Sequence, residues 1–166
     1  LHEDARAEAA KRFAGRVRDV SEVLAELKLP PAPVRLSAPD DPSKPLRVGY
    51  HDPCHLAHAQ KVRVQPRALL RSLPGVELVD LPDSDWCCGS AGVYNLTHPA
   101  MADAQLAHKL DTIRAVSPHL VVASNPGCLL HMDRGARAAG LGVPIVHLLD
   151  VLARAYPMTR RGHAAS

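Results

Sequence analysis

Aromatic residues are scarce in this chain of 166 residues: one tryptophan, one phenylalanine and three tyrosines. Charge of one sign is scarce as well, because 20 basic residues interspersed with 17 acidic ones leave a formal net charge of only +3. With few rings to stack on bases and no basic block to follow a phosphate backbone, no nucleic-acid partner is indicated. Long apolar runs are missing, although 46% of the residues are hydrophobic, so no stretch reaches the roughly 20 residues needed to span a bilayer. The first residues are charged and lack the basic-then-apolar order of a secretory leader. A cytoplasmic location is expected. The chain opens on Leu1 directly into a helical pattern, and it is read as a piece of a longer protein.

Two further absences narrow the chemistry. The glycine-rich loop Cys88-Gly89-Ser90-Ala91-Gly92 has neither a dinucleotide fingerprint nor a Walker lysine, which argues against phosphate binding. The short Cys-x-x-Cys pairs that make zinc knuckles are also missing. No general base or flavin site is visible, so no residue is assigned a catalytic role.

The patterns that are present alternate strand and helix. Phe13, Val17, Val20, Leu24 and Leu27 recur at helical spacing and predict one N-terminal helix from Asp4 to Lys28. Pro30, Pro31, Pro33, Pro39, Pro42 and Pro45 then bar regular structure, and residues 1–45 are expected to be a helix plus linker. The expected main domain is 46–156. Strands are predicted at Leu46–Tyr50, Val76–Asp80, Leu120–Ala123 and Val143–His147, the last an edge strand because of Pro144. Between them, helices are expected after Pro66, from a cap at Thr97 through Val116, from Asn125 and Pro126 to Gly140, and from Leu148 to Tyr156. Asn95 is read as a capping residue. The tail 157–166 is expected to be disordered. This rhythm implies an α/β fold: a parallel four-stranded sheet with helices on both faces, a Rossmann-like half preceded by the N-terminal helix.

Four cysteines fall in the loops this fold would bring to one edge. Cys54 follows the first strand, Cys87 and Cys88 the second, and Cys128 the third, and the carboxyl edge of an open parallel sheet is where ligands bind. In a reducing cytosol such a set suits a metal or redox site better than structural disulfides. Widely spaced thiolates fit an iron-sulfur cluster better than zinc. Two stretches echo each other: Asp52-Pro53-Cys54 and Asn125-Pro126-Gly127-Cys128 each place a capping residue, a proline and a cysteine at a predicted helix start. There the helix dipole should favour the thiolate. His51, His55 and His58 flank Cys54, and His131 follows Cys128 by one helical turn. Each is read as a hydrogen-bond donor beside the ligands, or as packing, with His131 the one that could replace a thiolate. Tyr94 is a further candidate donor to a cluster sulfur. The rival readings are a docking scaffold holding zinc or no metal, and thiol-disulfide chemistry at Cys87 and Cys88.

Three motifs carry a family resemblance: Tyr50-His51-Asp52-Pro53-Cys54-His55-Leu56, Asp85-Trp86-Cys87-Cys88-Gly89-Ser90-Ala91-Gly92 and Asn125-Pro126-Gly127-Cys128-Leu129. The chain resembles the cysteine-rich CCG domain family, most closely the C-terminal such domain of glycolate oxidase iron-sulfur subunits. The resemblance implies an electron-transfer domain of an oxidoreductase that oxidises glycolate or another 2-hydroxy acid. The implied cofactor is an iron-sulfur cluster, and because four cysteines match the four irons of a cubane it is read as [4Fe-4S] on Cys54, Cys87, Cys88 and Cys128. The implied partners are flavin-containing subunits and an upstream ferredoxin-like domain, with peripheral association at the inner face of the cytoplasmic membrane through the complex. Relatives hold unusual clusters through a Cys, Cys-Cys, Cys-x-x-Cys set; here His131 stands at the last of those positions.

Overall fold

The computed structural model describes residues 2–157. The expected disordered tail therefore lies outside the described residues apart from Pro157. The sheet has four parallel strands, β1 (Leu46–His51), β2 (Val76–Val79), β3 (Leu120–Ala123) and β4 (Ile145–Val146), in the order β2-β1-β3-β4. The chain winds outward from β1 to β2, then reverses to place β3 on the other side of β1. That reversal opens a crevice between the carboxyl ends of β1 and β3. The short β4 lies at the edge, as Pro144 predicts, but it covers only Ile145–Val146 and not the expected Val143–His147, since proline has no N–H to give to a ladder.

Strand alternation divides the interior into two cores. Val48, Tyr50, Leu120 and Val122 face one side, where they meet Leu69, Leu70 and Leu73 and also Leu148, Val151, Leu152 and Ala155. The former group comes from α3 (Val64–Arg71) and the residues after it, the latter from α7 (Leu148–Ala155). Val121 and Ala123 face the other side, against α5 (Pro99–Val116) and α6 (Pro126–Ala138) through Leu106, Leu110, Ile113, Met132 and Ala136. Cys88 and Cys128 belong to this second core.

The single N-terminal helix expected from periodicity is two: α1 (His2–Ala14) and α2 (Val20–Glu26). Asp19 breaks the run because its carboxylate accepts from the Ser21 N–H while Glu22 accepts from the Asp19 N–H, a capping box that starts a new helix. The predicted stripe divides with it. Leu24 packs on the first core, whereas Phe13 is 73% exposed and Val17 and Leu27 are also exposed. The proline-rich stretch has no regular element, yet it is fastened to the loop before β2 and to the end of the last helix: Leu36 N–H donates to the Pro74 carbonyl and the Tyr156 hydroxyl to the Pro30 carbonyl.

Two capping expectations also fail. Thr97 ends a separate turn, α4 (Tyr94–Thr97), and α5 starts at Pro99, because proline's fixed φ suits a first helical position and holds the preceding His98 out of the helical region. Asn95 lies inside α4 and caps nothing.

Candidate metal centre

The junction after β3 forms as its residues dictate. Asn125 accepts from the Cys128 N–H at 3.0 Å, Pro126 fills the first position of α6, and the cysteine arrives in the first turn with its side chain turned into the second core. The junction after β1 does not follow the same plan. Asp52 is not a cap: it is fully buried and takes two charge-assisted hydrogen bonds from Arg67, both 2.6 Å, and one from the Ser84 hydroxyl at 2.8 Å. Burial alone would raise the Asp52 pKa, but the Arg67 and Ser84 donors prevail and hold it below the usual carboxylate range. Arg67 in turn lies over the Tyr50 ring, 4.8 Å from its centroid. Freed from that geometry, Cys54 begins a π-helical turn (His55–Gln60) and stays exposed.

The loop after β2 is pressed against α5. Gly89 has φ +92, and a Cβ there would stand 2.3 Å from the Ala102 carbonyl oxygen, so no other residue fits without moving the helix. Gly89 N–H faces the Cys87 sulfur at 3.4 Å. Cys87 is half-buried, Cys88 only 1% exposed and Cys128 6%. Trp86, just before the pair, packs its ring on His108 with centroids 4.6 Å apart.

The four cysteines sit in the junctions at the carboxyl edge of the sheet, and two close groupings are seen among them: Cys88 with Cys128, and Cys128 with Cys54. Cys54 and Cys128 line one cleft of about 420 Å³, together with His55, Ser90, Gly92 and Gly127. The Cys88 and Cys128 sulfurs lie within 4.8 Å of each other, and Cys88, Cys54 and Cys87 all disfavour a charge on the Cys128 thiol. The helix-dipole expectation for Cys128 is reversed by this contact. The neighbouring Cys88 thiolate and burial among other thiols raise the Cys128 pKa, while Cys88, beside Cys128, His51 and the Ser90 N–H, has its pKa lowered. Burial raises the Cys87 pKa. Soft sulfur donors crowded at one rim, one already favoured as thiolate, fit a thiolate-ligated metal or cluster.

The histidines and Tyr94 are distributed differently. His55 is exposed on the cleft wall, His58 is exposed, and Tyr94 stacks on His98 with ring centroids 4.4 Å apart. His131 is buried and lines a neighbouring cleft of about 300 Å³ with Asn95, Leu96 and Arg134; its Nδ1 lies 3.4 Å from Asn95 Nδ2. His51 instead is the one that joins the sulfurs: a donor nitrogen of its ring, Cys88 Sγ and Cys128 Sγ all lie within 4.8 Å of one another. Its place was legible in strand parity, since His51 shares the face of Gly49, opposite Val48 and Tyr50.

Lys109 is a residue that sequence reading passed over. It is fully buried on α5, where its ammonium donates to the Asp83 carbonyl at the base of the cysteine loop. Burial lowers its pKa, against the pull of Asp83, Asp85 and Cys88. The signal was a lysine inside the apolar stripe of Leu106, Leu110 and Ile113.

With this geometry in place, comparison with known proteins is decisive. The profile of the cysteine-rich domain family CCG matches residues 48–133, more than half of the chain. The chain belongs to the CCG cysteine-rich domain family. The CCG domain is 37% identical over 150 residues to the probable glycolate oxidase iron-sulfur subunit of Bacillus subtilis (strain 168), a match covering 89% of this chain and 32% of the relative. It is 33% identical over 145 residues to the glycolate oxidase iron-sulfur subunit of Escherichia coli (strain K12), covering 86% and 33%. Over 112 residues it is 38% identical to one of the subunits of the fumarate reductase (CoM/CoB) of Methanothermobacter marburgensis, covering 67% and 23%. The chain thus spans a third or less of these relatives. Among the described residues, no helix of the CCG domain is long and apolar enough to cross a membrane.

Proposed function

We propose that this CCG domain holds an iron-sulfur cluster, of the [4Fe-4S] type, through Cys54, Cys87, Cys88 and Cys128, and relays electrons within a complex that oxidises glycolate or a related 2-hydroxy acid. The observation that supports the reading is that Cys128 lies beside Cys88 and shares a cleft with Cys54, with Cys87 next to Cys88 in the chain, so that thiols from three separate junctions come to one edge of the sheet. The relatives' names, iron-sulfur subunits of glycolate oxidase among them, supply the reaction class. When bound, the cluster supplies one-electron transfer. The protein's own part is to hold the thiolates in a half-enclosed site whose inner wall is apolar and whose mouth opens beside Cys54. Residues 46–156 form the cluster-bearing unit, and residues 1–45 are the segment that joins it to a ferredoxin-like domain. Flavin-containing subunits are the electron source, and membrane association comes through the complex.

The test is anaerobic reconstitution of the chain with iron and sulfide. The expected result is a brown protein with near-equal iron and sulfide, lost in Cys54→Ala and Cys128→Ala. Folded wild-type protein that stays colourless and iron-free, or takes up zinc with no sulfide, would assign the domain to scaffolding instead.

A further inference from the structure

We infer that His51 is a metal ligand, and that with Cys88 and Cys128 it forms a buried three-donor position able to hold one divalent transition-metal ion by itself. The inference rests on reading this rim as the metal centre and adds to it a nitrogen ligand at a position distinct from His131.

Three observations converge on it. The first is geometric: the three donor atoms lie within 4.8 Å of one another. Tetrahedral bonds of about 2.0 Å to nitrogen and 2.3 Å to sulfur set ligand atoms roughly 3.5–3.8 Å apart, so the triad needs to close by about one ångström. The second is the state of the imidazole. His51 is 1% exposed, and neither ring nitrogen has a hydrogen-bond partner among the described residues. Leaving a buried polar group unpaired costs about 1–3 kcal/mol, and a strand that carries a histidine into such a place is matched to a ligand rather than to packing. The third is the fold. His51 ends β1 and pairs in register with Ala123 of β3, so its ring shares the face of the second core with Cys88 and Cys128 and lies at the crevice between the two strands.

The donor set, two thiolates and one imidazole, selects a borderline-soft ion such as zinc, cobalt or ferrous iron over magnesium or calcium. Cys128 also lines the cleft that reaches Cys54, which leaves the fourth position open to water or to that thiol.

The experiment is a cobalt(II) titration of the anaerobic, metal-free chain, followed by thiolate-to-cobalt charge transfer and by the intense visible bands of a tetrahedral ion. One equivalent is expected to bind. His51→Ala should weaken binding by more than the roughly 10- to 100-fold that losing an outer hydrogen-bond partner costs, with the tetrahedral bands lost, while His131→Ala should leave both unchanged. Circular dichroism of each metal-free variant shows that it is folded. If His51→Ala does not fold, X-ray absorption of the wild-type cobalt complex decides, with a nitrogen scatterer beside the sulfurs expected. Cobalt bound equally well by the His51 variant, a sulfur-only shell, or no tetrahedral cobalt in the wild type would overturn the inference. None of these would touch the iron-sulfur reading, which is decided separately by iron and sulfide content after reconstitution.

Discussion

The junctions after β1 and β3 look alike in sequence and differ in kind. Asp52-Pro53-Cys54 delivers its cysteine two positions after the acidic residue, whereas Asn125-Pro126-Gly127-Cys128 takes three. One residue is about 100° of helical rotation, and with it go the exposure of the thiol and the work of the Asx side chain. Asn125 caps α6 and helps bury Cys128. Asp52 is committed sideways to Arg67 and Ser84, so it ties β1 to α3 and to the loop ahead of Cys87, and Cys54 is left at the mouth. A shared motif thus makes an inner wall at one junction and an outer lip at the other.

The largest effect should come from Asp52→Asn. It strands a partly buried guanidinium, and because Arg67 keeps some contact with water the expected loss is about 3 kcal/mol, the low end for a broken buried pair, read by urea unfolding of the metal-free protein. The Asp52 pKa lies below its ordinary value, so this stabilisation is fully present above about pH 4 and drains away as pH falls further. The stability gap between wild type and variant should therefore close in acid. A gap that persists at low pH would mean that the carboxylate charge is not what holds the junction.

Asn125→Ala removes only a cap and should cost about 1 kcal/mol. A loss exceeding that of Asp52→Asn would invert the contrast between the two junctions. Cys54→Ser touches an exposed side chain and should change stability by less than about 0.5 kcal/mol, while iron retention after reconstitution drops sharply. Full iron retention would remove Cys54 from the site and make the lip purely structural.

Much of this fold was legible beforehand because strand and helix periods are local. β3 was bounded correctly by its apolar run, and Pro144 marked the fourth strand as an edge strand, although that strand is shorter than the five residues expected. What stayed hidden depends on partners distant in sequence. Asp52 reads as a cap until Arg67, 15 residues on, claims it. Likewise, Cys128 reads as a low-pKa thiol at a helix start until the neighbouring Cys88 thiolate and burial make it hold its proton. The break before α2 was visible in Asp19 and Glu22, but the apolar stripe running across it masked the capping box. For the site, cysteine positions alone predicted the edge where they meet; they did not say which histidine would meet them, since that depends on the pairing of β1 with β3.

Trp86 has an optical consequence. It is the single tryptophan of the chain, it immediately precedes Cys87, and its ring rests on His108. Its emission therefore originates beside the thiol rim and nowhere else in this chain. A cluster absorbing across the near ultraviolet and visible would drain that emission by energy transfer, whereas a closed-shell ion such as zinc has no band to accept it. The unaltered chain thus carries its own lamp for telling what the rim holds.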